Sequence, residues 1–124
     1  MGDPVYIVAK LKPVFAVVAK RLVIKTDRPD LYTLASSVAS PFPQHKGRPL
    51  EFGCIRVGKA YVSLHLLPVY MNPALGDAIS PALRKRMQGK ACFNFKDDPE
   101  PALVTELKRI AGAGLKQWAE KKWA

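Results

Sequence analysis

The sequence predicts an α+β fold, an antiparallel sheet of about five strands with helices packed against one face. Three observations lead there: a helical apolar stripe near the N-terminus, two β-rich runs separated only by Gly58 and Lys59, and a second helical stripe at the C-terminus. At 124 residues the chain holds a single domain, 1–124, large enough to bury a core without disulfide or metal staples.

Asp3 followed by Pro4 opens the first helix, because a side-chain acceptor before a proline satisfies the free N–H groups of a first turn. Val8, Leu11, Phe15, Val18 and Leu22 then recur at steps of three and four, on one face. Pro13 lacks an N–H and crowds the carbonyl of Ala9, so a kink or restart is expected near Lys12. Leu22 to Thr26 and Leu31 to Ala35 read as strands around the turn Asp27-Arg28-Pro29-Asp30. From Ser36 to Pro49, three prolines and Gly47 exclude regular structure, and this loop is expected to be the most mobile internal segment and to flank a site.

Leu50–Val57 and Ala60–Val69 form the clearest hairpin, with Gly58 and Lys59 as a two-residue turn. Pairing Val57 with Ala60 sets Ile55 against Val62, Gly53 against Leu64 and Glu51 against Leu66, an aliphatic face that meets the helices. The other face carries Arg56 with Tyr61, Cys54 with Ser63 and Phe52 with His65, left open or covered only by loops. Ser80 and Pro81 start a short helix with Leu83 and Met87 on one face, closed by Gly89. Lys90–Lys96 is the last strand, with Ala91, Phe93 and Phe95 on one side and Cys92 and Asn94 on the other. Asp98-Pro99 opens the final helix, whose buried stripe is Leu103, Leu107, Ile110, Ala111 and Trp118. Gly112 and Gly114 mark points where it bends or leans on packing, and Trp123 is expected at a frayed end or in a crystal or dimer contact.

Hydrophobic residues at 48% and charged residues at 24% give ordinary globular composition, which excludes a disordered tail. The formal net charge of +10 favours anionic partners. Cys54 and Cys92 lack C-x-x-C spacing and no apolar signal segment precedes the first charged residues, so both are expected reduced and the protein cytoplasmic. Lys10, Lys12, Lys20 and Arg21 interrupt the apolar N-terminal stretch, which argues against a membrane span.

Residues 61–70 (YVSLHLLPVY) and 83–96 (LRKRMQGKACFNFK) resemble the YdhG-like family of small bacterial domains, a likeness that extends over most of the chain. It implies a compact α+β fold, an antiparallel sheet with helices on one face. Most members of that family lack an assigned function and some are described as frataxin-like iron chaperones. Here the only dense acidic cluster is Asp97, Asp98 and Glu100, with Asp98 read as a helix cap, so the iron role is not carried over.

Cys54 and His65 share the mixed hairpin face as diagonal neighbours, which suggests a nucleophilic pair, but no orienting carboxylate or oxyanion donor accompanies them. A metal site of Cys54, His65 and Cys92 would rest on three unrelated spacings, a weak signal beside paired C-x-x-C motifs. The reading is therefore a non-catalytic binding or accessory module without cofactor or metal. Its candidate surface is Phe52, Cys54, Arg56, Tyr61, Ser63, His65, Cys92 and Asn94, taking an anionic small molecule or a protein partner. The alternative is weak nonspecific nucleic-acid binding through Arg84, Lys85, Arg86 and Lys90, with Arg84 and Lys85 pointing into water.

Overall fold

A computed structural model describes residues 2–124. Helix α1 spans Pro4–Ala16, and the Val5 N–H donates to Asp3 Oδ1 at 2.9 Å, the cap that the Asp-Pro pair predicts. The helix runs through Pro13 as one element, without the restart expected at Lys12. It ends at Ala16, and a 3₁₀ turn over Ala19–Arg21 leads into the sheet. Ile7, Val8, Leu11, Val14 and Phe15 are its buried residues.

Strands β1 (Leu22–Arg28) and β2 (Leu31–Ser36) form the predicted first hairpin, with Arg28 opposite Leu31 and only Pro29 and Asp30 between them. β1 is an edge strand, and its register shifts between Ile24 and Thr26, a bulge at Lys25. A lysine and a bulge on an edge both discourage a foreign strand from pairing there.

Strands β3 (Glu51–Val57) and β4 (Val62–Leu66) form the central hairpin, but the turn is longer than the two residues expected. Val57 pairs with Val62, Ile55 with Leu64, Gly53 with Leu66, Arg56 with Ser63 and Cys54 with His65. The pairing is thus displaced by two residues from the register expected, in which Val57 meets Ala60. Gly58 N–H instead donates to the Tyr61 carbonyl across a four-residue connection. Because side chains alternate with period two, a two-residue displacement changes every partner and leaves every face unchanged.

Phe52 is the exception, and a bulge is the reason. Leu34 pairs with Gly53 and Ala35 with Glu51, which leaves Phe52 as the extra residue of β3 against β2. The bulge turns Phe52 to the helix side, where it is fully buried and meets Trp118 edge-on with ring centroids 5.2 Å apart. Gly53 points the same way: a Cβ there would stand 2.5 Å from the His65 carbonyl oxygen and 2.7 Å from the Phe15 ring. Only glycine allows α1 to approach β3 so closely.

After β4 come two helical turns that the sequence reading missed, α2 (Leu67–Met71) and α3 (Pro73–Asp77), each with a proline in its first turn. Ser80 caps the single turn α4 (Pro81–Arg84), its N–H and hydroxyl both donating to the Glu106 carboxylate at 2.8 and 2.6 Å. The expected helix does not continue to Gly89. Met87–Gln88 is instead a sixth strand, β5, and Gly89, at φ +73°, sits in the turn to β6 (Cys92–Phe95). The last helix, α5 (Pro101–Glu120), starts two residues later than expected, with Glu100 rather than Asp98 at its cap position.

The sheet is antiparallel throughout, with order β1-β2-β3-β4-β6-β5. α1 crosses β3 and β4 and lies against α5, so both long helices serve one face. Every residue of the predicted α5 stripe is buried. Gly114 is buried with them because a Cβ there would stand 2.6 Å from Pro68 of α2, which is the packing that explains the glycine.

Candidate functional site

Opposite the helices, the sheet presents a face on which the inner strands place side chains in two rows. One row runs Leu31, Arg56, Ser63, Asn94 and the other Thr33, Cys54, His65, Cys92, Gln88, read from the register of successive strands. All of these side chains are half-buried or exposed, whereas their neighbours Ile55, Val62, Leu64, Phe93 and Phe95 on the other face are closed to water. The mixed face is therefore open, which the sequence left undecided.

Seven of the eight residues expected on that surface are together on it: Cys54, Arg56, Tyr61, Ser63, His65, Cys92 and Asn94. The eighth, Phe52, is in the core, for the reason given above. In its place stands Glu51, which the bulge carries to the open face and which reading β3 as a regular strand had assigned to the aliphatic one. Thr33 and Gln88 also belong to the face. Alternation of β2 would have identified Thr33, but Gln88 was hidden because its segment read as helix.

A hydrogen-bonded ladder stiffens one half of this surface. Ser63 Oγ donates to Asn94 Oδ1 at 2.7 Å, Asn94 Nδ2 donates to Gln88 Oε1 at 2.8 Å, and the Tyr61 hydroxyl donates to the same oxygen at 3.1 Å. With these partners engaged, the polar groups of β4, β5 and β6 hold one another in place.

Cys54, His65 and Cys92 sit side by side on three successive strands, so His65 is a direct neighbour of Cys54 rather than a diagonal one. Adjacent strands lie roughly 5 Å apart, so the two sulfurs flank the imidazole instead of meeting each other. Among the described residues no group of three or more His, Cys, Asp or Glu side chains converges as a metal site would require. Glu51 supplies the carboxylate that sequence reading did not find, but it works against a nucleophile. Burial pushes the Cys54 thiol up to about 11, and the neighbouring Glu51 charge pushes the same way. A thiol so raised is protonated at neutral pH. Burial lowers the pKa of His65, with the Glu51 charge opposing that shift, and burial raises that of Cys92.

Arg56 stands where two surface concavities meet. One, of about 620 Å³, is lined by Arg56, Lys59, Tyr61 and Ser63; the other, of about 470 Å³, by Arg28, Thr33, Glu51, Cys54 and Arg56. Arg28 is paired with Asp30 at 3.3 Å, while Arg56 and Lys59 have no carboxylate within ion-pair distance among the described residues.

The basic quartet does not form one patch. Arg84 and Lys90 line a concavity of about 470 Å³ with the exposed Tyr70, Lys90 Nζ lying 6.0 Å from the centre of its ring. Lys85 and Arg86 line a separate one with Glu100, to which Arg86 donates at 2.8 Å. Arg84 and Lys85 are exposed, as expected. The acidic cluster is likewise dispersed: Asp98 pairs with Lys10 at 3.0 Å and Glu100 with Arg86.

The proline-rich loop borders the Glu51 end of the open face, where His45, Arg48 and Glu51 share a concavity. It is tied down more firmly than its composition suggested. Ser40 Oγ and His45 Nδ1 are 2.7 Å apart, and Phe42 packs on Trp123 with ring centroids 5.5 Å apart. Trp123, expected at a frayed end, also accepts from the Ser36 hydroxyl through its carbonyl at 2.5 Å.

Compared with known proteins, the chain matches no family model, no curated protein and no solved structure. Among the described residues no helix is long and apolar enough to cross a membrane.

Proposed function

We propose that this protein is a non-catalytic binding module of the YdhG-like type, and that its open sheet face takes an anionic small molecule at Arg56. The observation that carries this reading is an arginine at the meeting point of two concavities, without a carboxylate partner among the described residues and on a face that none of the described helices covers. A guanidinium offers a planar fork of donors to a carboxylate or phosphate, and Lys59, Tyr61 and Ser63 line the space where the rest of the ligand would lie. The protonated Cys54 supports binding over nucleophilic catalysis.

The test is a titration of isotope-labelled protein with phenyl phosphate, followed by amide chemical shifts. Saturable shifts at Arg56, Lys59, Tyr61 and Ser63 that vanish in Arg56→Glu support the reading. Their absence, or shifts confined to the Arg84 and Lys90 concavity, refutes it.

Weak nonspecific nucleic-acid binding is the second reading, supported by Tyr70 standing exposed beside Arg84 and Lys90, an aromatic platform with two cations. Affinity for a labelled single strand would then fall by about one power of salt concentration per phosphate neutralised. It would also drop in the double variant Arg84→Glu/Lys90→Glu. Undetectable binding at low salt ends that reading.

A further inference from the structure

We infer that the outer face of α1 is a docking surface for an amphipathic helix with acidic flanks, supplied by a partner protein. This surface lies on the helix-bearing side of the sheet and does not depend on the ligand-binding reading.

The inner side of α1 is spent on the core through Ile7, Val8, Leu11, Val14 and Phe15. At 3.6 residues per turn, Val5, Ala16, Ala9, Pro13, Tyr6 and Val17 fall in one sector of about 120° on the other side. Of these, Val5, Tyr6 and Val17 are 66%, 64% and 54% exposed, Ala9 and Ala16 are exposed, and Pro13 is half-buried. The solvent side of a surface helix ordinarily carries its charged and polar residues. Here that sector holds no charge at all, and the first charged residues met on either side of it are Lys10 and Lys12.

The relief of the sector suits a helix. Ala9, Pro13 and Ala16 form a low floor, with Val5 and Tyr6 standing at one end and Val17 at the other. Small residues allow close approach of a second backbone, and the taller ones supply ridges to pack against. The 13 residues of α1 extend about 20 Å, room for three to four turns of a partner.

The charges identify the partner. Each flank carries a lysine of α1, and the acid that opens the helix, Asp3, is engaged in capping Val5. Lys10 and Lys12 pair with Asp98 and Asp27, but all four side chains are 41% to 57% exposed, and such pairs exchange partners at little cost. A second copy of this chain would bring lysine flank against lysine flank and one +10 molecule against another. A helix carrying glutamates on both sides of an apolar seam complements the surface in shape and in charge.

The probe is a fluorescent 14-residue helical peptide with a leucine seam flanked by glutamates, measured by anisotropy against the full chain. A matched peptide carries lysine in place of each glutamate. The glutamate peptide is expected to bind saturably in the micromolar range and the lysine peptide at least tenfold more weakly. Ala9→Glu and the charge-neutral Val17→Gln should each weaken the glutamate peptide at least tenfold with unchanged thermal melting, and Arg56→Glu should leave it unaffected. Equal affinity for the two peptides, or none for the glutamate peptide, overturns the proposal. So does a dimer in sedimentation that Val17→Gln dissociates, which would make a second copy the occupant. Co-sedimentation with phosphatidylserine vesicles that Val17→Gln abolishes would assign the face to a lipid surface instead.

Discussion

On the helix side of β3, Phe52, Gly53 and Ile55 are sealed from water, whereas on the other side Glu51, Cys54 and Arg56 all keep contact with it. The two sets are interleaved within one short strand, yet they answer to different constraints. The sealed side is limited by volume: Phe52 fills the space beside Trp118, and Gly53 leaves the space that Phe15 takes. The open side is limited by charge and hydrogen bonding, with the Ser63, Asn94, Gln88 and Tyr61 ladder satisfied internally and Arg56 without an ion-pair partner among the described residues. Mutations should therefore separate the faces by the size and the kind of their effects.

The largest loss is expected for Phe52→Ala, about 3–5 kcal/mol, because it opens a cavity against Trp118. Denaturant unfolding measures it, and a loss under 1 kcal/mol would return Phe52 to the open face. Gly53→Ala should follow at about 1–3 kcal/mol by overpacking, since the added Cβ meets the His65 carbonyl and the Phe15 ring. The companion variant Phe15→Leu, which removes the ring, should recover part of that loss.

Two smaller effects probe the open side by pH. His65 has a folded pKa below its ordinary value of about 6.5, so the unfolded chain takes up the proton first as pH falls. This residue's contribution to stability is thus fully present above that value and is lost as pH falls below it. Unfolding curves between pH 4 and pH 8, on the order of these limits, should show that slope reduced in His65→Gln. Alkylation of Cys54 by iodoacetamide, mapped by mass spectrometry, should be slow at neutral pH and accelerate as pH approaches about 11. Rapid labelling at neutral pH would reopen the nucleophile reading. The smallest effect, within about 0.5 kcal/mol, is expected for Arg56→Ala, an exposed side chain without an ion-pair partner among the described residues.

Much of this architecture was legible in the chain. The Asp3-Pro4 start, the first hairpin, the alternation of Ala91, Phe93 and Phe95 and the α5 stripe are local patterns, each written within a few turns or one strand. They follow from the helical and strand periods alone. Face assignment at the central hairpin survived an error in its turn, because displacement by two residues preserves the side of every residue.

Tertiary contacts decided the rest. The bulge that exchanges Phe52 for Glu51 on the open face depends on β2 lying beside β3 and on Trp118, 66 positions further along the chain, standing above Phe52. Met87 and Gln88 followed a helical pattern until β6 offered them an edge to pair with. The loop around Phe42 and the terminal Trp123 each looked free by composition and hold one another only when folded. Local periodicity thus determined which residues share a face, while pairing between distant segments determined where the pattern breaks, because a bulge, an edge or a clasp costs backbone order that only a remote partner repays.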